Sequence, residues 1–237
     1  MKKMKIEVWS DYVCPFCYIG KRQLEKAIED SGYAGQIEVQ YKSFLLDPST
    51  PVDADQSVYE SLSKKYNMSE TEVKNMTANV AERAKEVGLD YNFAEMKTAN
   101  TVVAHRLTKW AEEQGKGAQF TERLLQAYFL EGKAIGKADE LTVLAKEVGL
   151  DDKEALQVIH SSNYEAEVEQ DIYEAQQLGV RGVPFFVVDN KYGISGAQPQ
   201  QLFEDTIEKA ASEAGLRRKL AMQGEAGTVC TDDKCEM

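Results

Sequence analysis

Cys14 and Cys17 stand three residues apart in the stretch SDYVCPFCYIG, residues 10–20. Two sulfurs at that spacing can exchange disulfides with a partner, or they can supply half of a zinc site. A helix that begins at the first cysteine separates these outcomes. Its leading N–H groups have no intrahelical partners, and its dipole places partial positive charge at the same point. A thiolate there is stabilised. Pro15 suits the first helical position, where its missing N–H is no loss. Cys14 is then the attacking sulfur. Cys17, one turn further in and expected to be less exposed, resolves the mixed disulfide from within the molecule.

The surrounding elements fit that arrangement. KIEVWS, residues 5–10, alternates as a strand does. Cys17, Gly20, Leu24, Ala27, Ile28 and Ser31 recur at helical spacing, and QIEVQYKSF alternates again. These make a strand–helix–strand unit over 5–44. Residues 56–178 are helical in pattern nearly throughout. SETE at 69–72 is a capping box that opens a helix running to Gly88. Further helices fit about 98–114, 117–131, 139–148, 152–161 and 163–178. AKEVGLD occurs at 84–90 and again at 145–151. This is a shared stop signal, Gly in a left-handed backbone followed by a Leu that packs back, rather than a structural repeat. VPFFVV and KYGIS then flank Asp189-Asn190, a hairpin turn, and a helix follows over about 199–214. The pattern predicts an α/β sheet interrupted by a large all-helical insertion. One domain spans 1–50 and 179–215, the insertion spans 51–178, and a tail with few large apolar residues spans 216–237.

Composition narrows the function classes. The chain has 237 residues, 43% of them hydrophobic, enough for a core without staples. Its 28 Lys and Arg against 40 Asp and Glu give a formal charge of −12. Such a chain repels nucleic acid and anionic membranes. No signal peptide or transmembrane span is read, which predicts a cytoplasmic protein whose thiols are kept reduced. Close-spaced cysteines in that setting are redox-active or metal-binding more often than structural.

A second signal is GVRGVPFFVV, residues 179–188. In thioredoxin-like proteins a cis proline precedes the corresponding strand and faces the dithiol. Here that is Pro184, with Val183 before it offering its backbone to a substrate peptide. An ordinary trans proline opening an edge strand is the plain alternative. DYVCPFCYIGKRQLE, TANTVVAHRLTKWA and QQLGVRGVPFFVVDNKYGISGAQ together resemble the DsbA family, and within it the cytoplasmic FrnE-like branch. The resemblance runs in order over about residues 4–214. It implies a thioredoxin-like fold with a helical insertion, and thiol–disulfide exchange with isomerase activity in reach. Cys14 and Cys17 would carry the reaction, with Pro184 as the matching proline. Phe16 departs from the His of strongly oxidising periplasmic members. It brings neither a hydrogen bond nor charge to Cys14, so a less oxidising dithiol is expected.

The same branch is described with a C-terminal Cys-x4-Cys, matched here by Cys230 and Cys235 in CTDDKC. About 15 residues separate Gly215 from Cys230, a flexible reach of roughly 20 Å. That suffices for an internal relay with Cys14–Cys17. Asp232, Asp233 and Glu236 disfavour ionised thiols in the tail, leaving Cys14 the better nucleophile. Two solvent-exposed thiols, or a local disulfide, would explain the pair without a relay. His105 lies on a helix that the resemblance sets beside the groove, where imidazole can assist proton transfer. A hydrogen-bonded histidine at the core edge explains it as simply. Glu7 is a candidate proton shuttle to the resolving cysteine, one residue out of the DsbA register. Tyr12, Phe16 and Phe185 are candidates for an apolar substrate groove, and Trp9 and Trp110 for the core.

The resemblance implies no cofactor beyond the redox-active disulfide, glutathione as one reductant, and thiol- or disulfide-bearing proteins, peptides and small thiols as partners. Neither nucleic acid nor membrane is expected, and no metal. Two other readings stay open. Glutathione-dependent isomerases of the 2-hydroxychromene-2-carboxylate and kappa transferase type share the element order, but a serine replaces their first cysteine. The four cysteines could instead hold zinc, although their two spacings differ.

Overall fold

The computed structural model describes residues 3–218, together with the short strands Cys230–Thr231 and Lys234–Cys235. Strand β1 (Met4–Ser10) leads into α1 (Pro15–Ser31), and β2 (Ile37–Ser43) follows after a 3-10 turn. The insertion holds α2 (Val58–Tyr66), α3 (Glu70–Lys85), α4 (Val102–Glu113), α5 (Gly117–Phe129), α6 (Ala138–Glu147), α7 (Asp152–His160) and α8 (Glu165–Gln177). The chain then returns as β3 (Phe185–Val188), β4 (Tyr192–Ser195) and α9 (Gln200–Glu213).

The sheet order is β2-β1-β3-β4, with β1 parallel to β2 and antiparallel to β3, and β3 antiparallel to β4. Asp189 and Asn190 both have positive φ, 50° and 55°. Two left-handed residues make the tight hairpin turn that matches strand twist. This is the thioredoxin fold with a helical insertion that the sequence predicts.

Two faces of the sheet are covered differently. Ile6 and Val8 of β1 point with Phe186 and Val188 into a core closed by Leu24 and Ala27 of α1 and by Phe203 and Ile207 of α9. Trp9 points the other way, into a cluster with Ala175 of α8 and Val180. Its indole N–H donates to the Asp171 carbonyl at 2.8 Å. A larger apolar cluster holds the insertion together and reaches Tyr12, Tyr18 and Ile19 at the start of α1.

Several predicted boundaries move. The helix expected from 98 begins at Val102, because the preceding residues are taken up by a distant segment. Ser57 bridges Lys97 in antiparallel fashion, and the Thr98 N–H donates to the Gln56 carbonyl at 2.8 Å. The SETE box is present, with Ser69 and Glu72 capping each other, but α3 ends at Lys85. Gly88 and Gly149, in the two copies of AKEVGLD, have φ of 78° and 76°, as the shared stop signal requires.

Gly20 sets how closely α1 approaches the loop before β3. A methyl group there would lie 3.0 Å from the Phe186 ring and 3.1 Å from the Pro184 ring. Gly20→Ala should therefore cost about 1–3 kcal/mol by overpacking, read as a lower urea midpoint. An unchanged midpoint would show that the contact relaxes freely.

Beyond α9, the strands β5 (Cys230–Thr231) and β6 (Lys234–Cys235) pair antiparallel, with Cys230 opposite Cys235. The remainder of the tail, including Asp232, Asp233 and Glu236, lies outside the described residues. Among the described residues no helix is long and apolar enough to cross a membrane.

Candidate active site

The end of β1 and the start of α1 build the site. Cys14 is the N-cap of α1, with extended backbone (φ −89°, ψ 111°) and Pro15 behind it in the first turn. Its N–H donates to the Asp11 carbonyl at 3.1 Å, and the Cys17 N–H donates to the Cys14 carbonyl at 3.0 Å. Both cysteines are free thiols. The Val183–Pro184 bond is cis. The Val183 carbonyl accepts the Cys14 S–H at 3.4 Å, so the loop before β3 meets the Cys14 sulfur directly.

The expected contrast in exposure between the two cysteines is not found: Cys14 is 4% exposed and Cys17 3%. What distinguishes them is what they face. Cys14 lines a cavity of about 490 Å³ between the α1 start and the insertion, and Cys17 does not. Burial pushes the Cys17 thiol well above its usual range, and the Cys14 sulfur beside it adds to the rise. Hydrogen bonds from the Ser10 side chain and the Asp11 backbone offset part of that rise.

This has a consequence for stability. Folded Cys17 keeps its proton at pH values where an unfolded thiol has lost one. The unfolded chain then binds fewer protons, so stability falls as pH rises. Below the unfolded value, about 8.5, the contribution is complete. Reduced protein should lose stability faster than reduced Cys17→Ala between about pH 8.5 and 10, where unfolded thiols ionise. Urea midpoints measured across that range check it, and parallel profiles would contradict it.

Asp11 ties the site together. It is 1% exposed. Its Oδ1 accepts the Thr101 hydroxyl at 2.8 Å and its Oδ2 accepts the Leu46 N–H at 2.8 Å. Tyr91 of the insertion donates its hydroxyl to the Pro15 carbonyl at 2.7 Å. Neither the type nor the spacing of Ser10 and Asp11 marks them as site residues in the sequence. The available signal was a polar pair closing an apolar strand immediately before the cysteines, since buried polar groups need a reason to be buried.

The other candidates are distributed unevenly. His105 is buried with its Nε2 3.5 Å from Asp11 Oδ1 and without a hydrogen bond. Its ring lies 4.6 Å from that of Tyr12. Tyr12 is buried and its hydroxyl pairs with Thr108 Oγ1 at 2.5 Å. It borders a water-sized space of about 10 Å³ with Ser10, His105 and Thr121, not the larger cavity. Phe16 lines that larger cavity, as do Pro15 and Val183, and the Arg83 guanidinium sits 5.0 Å from the Phe16 ring centre. Phe185 packs beside Trp9. Glu7 is held by Lys5 at 2.8 Å and lies 4.0 Å from Lys42 Nζ. The groups that act on the Cys17 thiol are Cys14, the Ser10 side chain and the Asp11 backbone, and Glu7 is not among them.

Known proteins share this fold. The family model for the DSBA-like thioredoxin domain matches residues 5–208. A probable DsbA oxidoreductase from Streptomyces coelicolor, SCO1869, superposes with a TM-score of 0.85 at 33% identity, over 99% of both chains. YwbO, an uncharacterized protein of Bacillus subtilis (strain 168), is 33% identical over 204 residues, 85% of this chain and 94% of that protein. A 2-hydroxychromene-2-carboxylate isomerase has the same fold, with a TM-score of 0.67 at 15% identity over 90% of this chain and 98% of its own.

Proposed function

Because this chain belongs to the DsbA family of thiol–disulfide oxidoreductases, through a DSBA-like thioredoxin domain that spans most of its length, we propose that it exchanges disulfides through Cys14 and Cys17. The observation that supports this most directly is the position of the Cys14 sulfur. It crowns a 17-residue helix, rests against the Val183 carbonyl and has Cys17 one turn behind it. The Cys14 thiolate attacks a substrate sulfur, and the substrate's other sulfur leaves as a thiolate. Cys17 then gives up its proton and attacks Cys14, releasing the reduced substrate and leaving the Cys14–Cys17 disulfide. Burial holds Cys17 protonated until this second step, so it does not compete as the first nucleophile.

Both cysteines stand where the isomerase reading needs a serine at the first position, so exchange is favoured over glutathione-dependent isomerisation. Protein disulfides and small thiols are the partners we assign, in a reducing compartment such as the cytoplasm. The Cys-x4-Cys spacing of the tail supports a place in the FrnE-like branch, with Cys230 and Cys235 relaying electrons to or from the buried pair.

Insulin reduction tests the reading. The protein should accelerate precipitation of the insulin B chain by dithiothreitol, and a rate equal to buffer would overturn the proposal. In the same assay, Cys230→Ser/Cys235→Ser should change turnover or the resting oxidation state of Cys14. A variant unchanged in both removes the relay.

A further inference from the structure

The cavity beside Cys14 has the size of a small-molecule site, about 490 Å³ against the several hundred typical of such pockets. Val58 and Leu62 of α2, Met76 and Val80 of α3, and Phe93 and Phe129 form its apolar walls. Asp47 and Lys65 are the charged residues that line it, and both are exposed, which places charge at the mouth and not inside. Cys14, although 4% exposed, forms part of the wall. A sulfur so covered by its surroundings is reached through the cavity more readily than by a flat protein surface.

We propose that this cavity binds the organic arm of an apolar, aromatic or alkyl, low-molecular-weight disulfide and presents its sulfur to Cys14. The assignment rests on the redox reading above and names the substrate class for the same dithiol. Methionine side chains in the wall adapt to arms of different shape. A glutathionyl arm would bring several ionised groups into a lining that offers hydroxyls, Ser61, Thr77 and Thr98 among them, but no charged partner inside the mouth, and burying an unpaired charge is costly. It therefore exchanges without the gain that cavity binding supplies.

The chemistry balances within the pair. The Cys14 thiolate forms a bond to the sulfur that carries the seated arm and expels the other half as a thiolate, which takes a proton from water. Cys17, losing its proton to solvent, attacks the Cys14 sulfur and expels the arm as a second thiolate. The disulfide substrate gains two electrons and the protein becomes the Cys14–Cys17 disulfide. A low-molecular-weight dithiol restores the reduced protein.

Single-turnover kinetics with two mixed disulfides that share one leaving group test this. Naphthylmethyl 2-pyridyl disulfide and glutathionyl 2-pyridyl disulfide both release pyridine-2-thione, read by absorbance. The rate ratio of the first to the second, measured for reduced protein and for N-acetylcysteine, separates cavity binding from intrinsic reactivity. The protein's ratio should exceed that of the free thiol by at least about tenfold, because the arm leaves water for apolar walls. Val80→Trp, which fills the cavity from α3, should bring the ratio down to the free-thiol value, and Leu62→Trp should do the same from α2. A wild-type ratio equal to that of N-acetylcysteine, or an excess that survives in whichever filled variant folds, overturns the cavity assignment. Cys14→Ser distinguishes the two readings. Thione release that persists in it when Cys230 and Cys235 are also replaced by Ser, so that the tail thiols cannot react in place of Cys14, defeats the redox reading itself, whereas Cys14-dependent release without an apolar excess defeats only the cavity assignment.

Discussion

Cys14→Ser should lower insulin reduction by roughly a thousandfold or more, to the background reaction, as loss of a nucleophile does elsewhere. Serine keeps the N-cap position and is itself a good cap, so the fold should survive and the lost sulfur alone should account for the effect. Cys17→Ser should behave differently. Its Cys14 still attacks, but nothing behind it releases the product, so a mixed disulfide between Cys14 and the substrate accumulates. Mass spectrometry after non-reducing separation detects that adduct in Cys17→Ser and its absence in Cys14→Ser. Substantial insulin reduction by Cys14→Ser, or equal trapping at both positions, would assign the chemistry to other sulfurs.

Asp171→Ala should destabilise the protein by about 3–5 kcal/mol, the scale of an uncompensated buried charge. Asp171 is 3% exposed in the middle of α8. Its carboxylate meets Lys42 Nζ at 3.0 Å and Lys109 Nζ at 2.5 Å, and accepts the Ser43 N–H at 2.8 Å. The loss strands Lys109, whose other carboxylate, Glu112, is 3.8 Å away. Lys42 keeps Glu174 at 2.7 Å. Asp171→Asn retains an acceptor for Ser43 but removes the charge, so it should fall between wild type and Asp171→Ala. Urea midpoints at neutral pH measure the series. An Asp171→Ala variant within about 1 kcal/mol of wild type would show that solvent reaches the lysines and screens them.

These two predictions differ in how far the sequence foretells them. Cys14 and Cys17 are legible because their spacing, Pro15 and the period of the following helix are all local, and the Asp189-Asn190 turn is legible for the same reason. Asp171 is not. It sits in EAEVEQDIYEAQQ among residues that read as a solvated acidic face, and only the packing of α8 on β2 buries it. The same holds for the start of α4, which depends on a pairing between residues 56–57 and 97–98. The cover on the Cys14 sulfur likewise includes the Val183 carbonyl, 169 residues away in sequence. What local pattern encodes is the dithiol. What closes over it is encoded in contacts that no short window contains.

Asp11 turns those distant contacts into mechanics. One carboxylate grips the threshold of α4 through Thr101 and the strand exit at Leu46, while the carbonyl of the same residue fixes the amide of Cys14. A displacement of α4 away from the sheet must pull on the residue that holds the Cys14 backbone. The helical block is therefore geared to the reactive loop, and force applied at one is felt at the other.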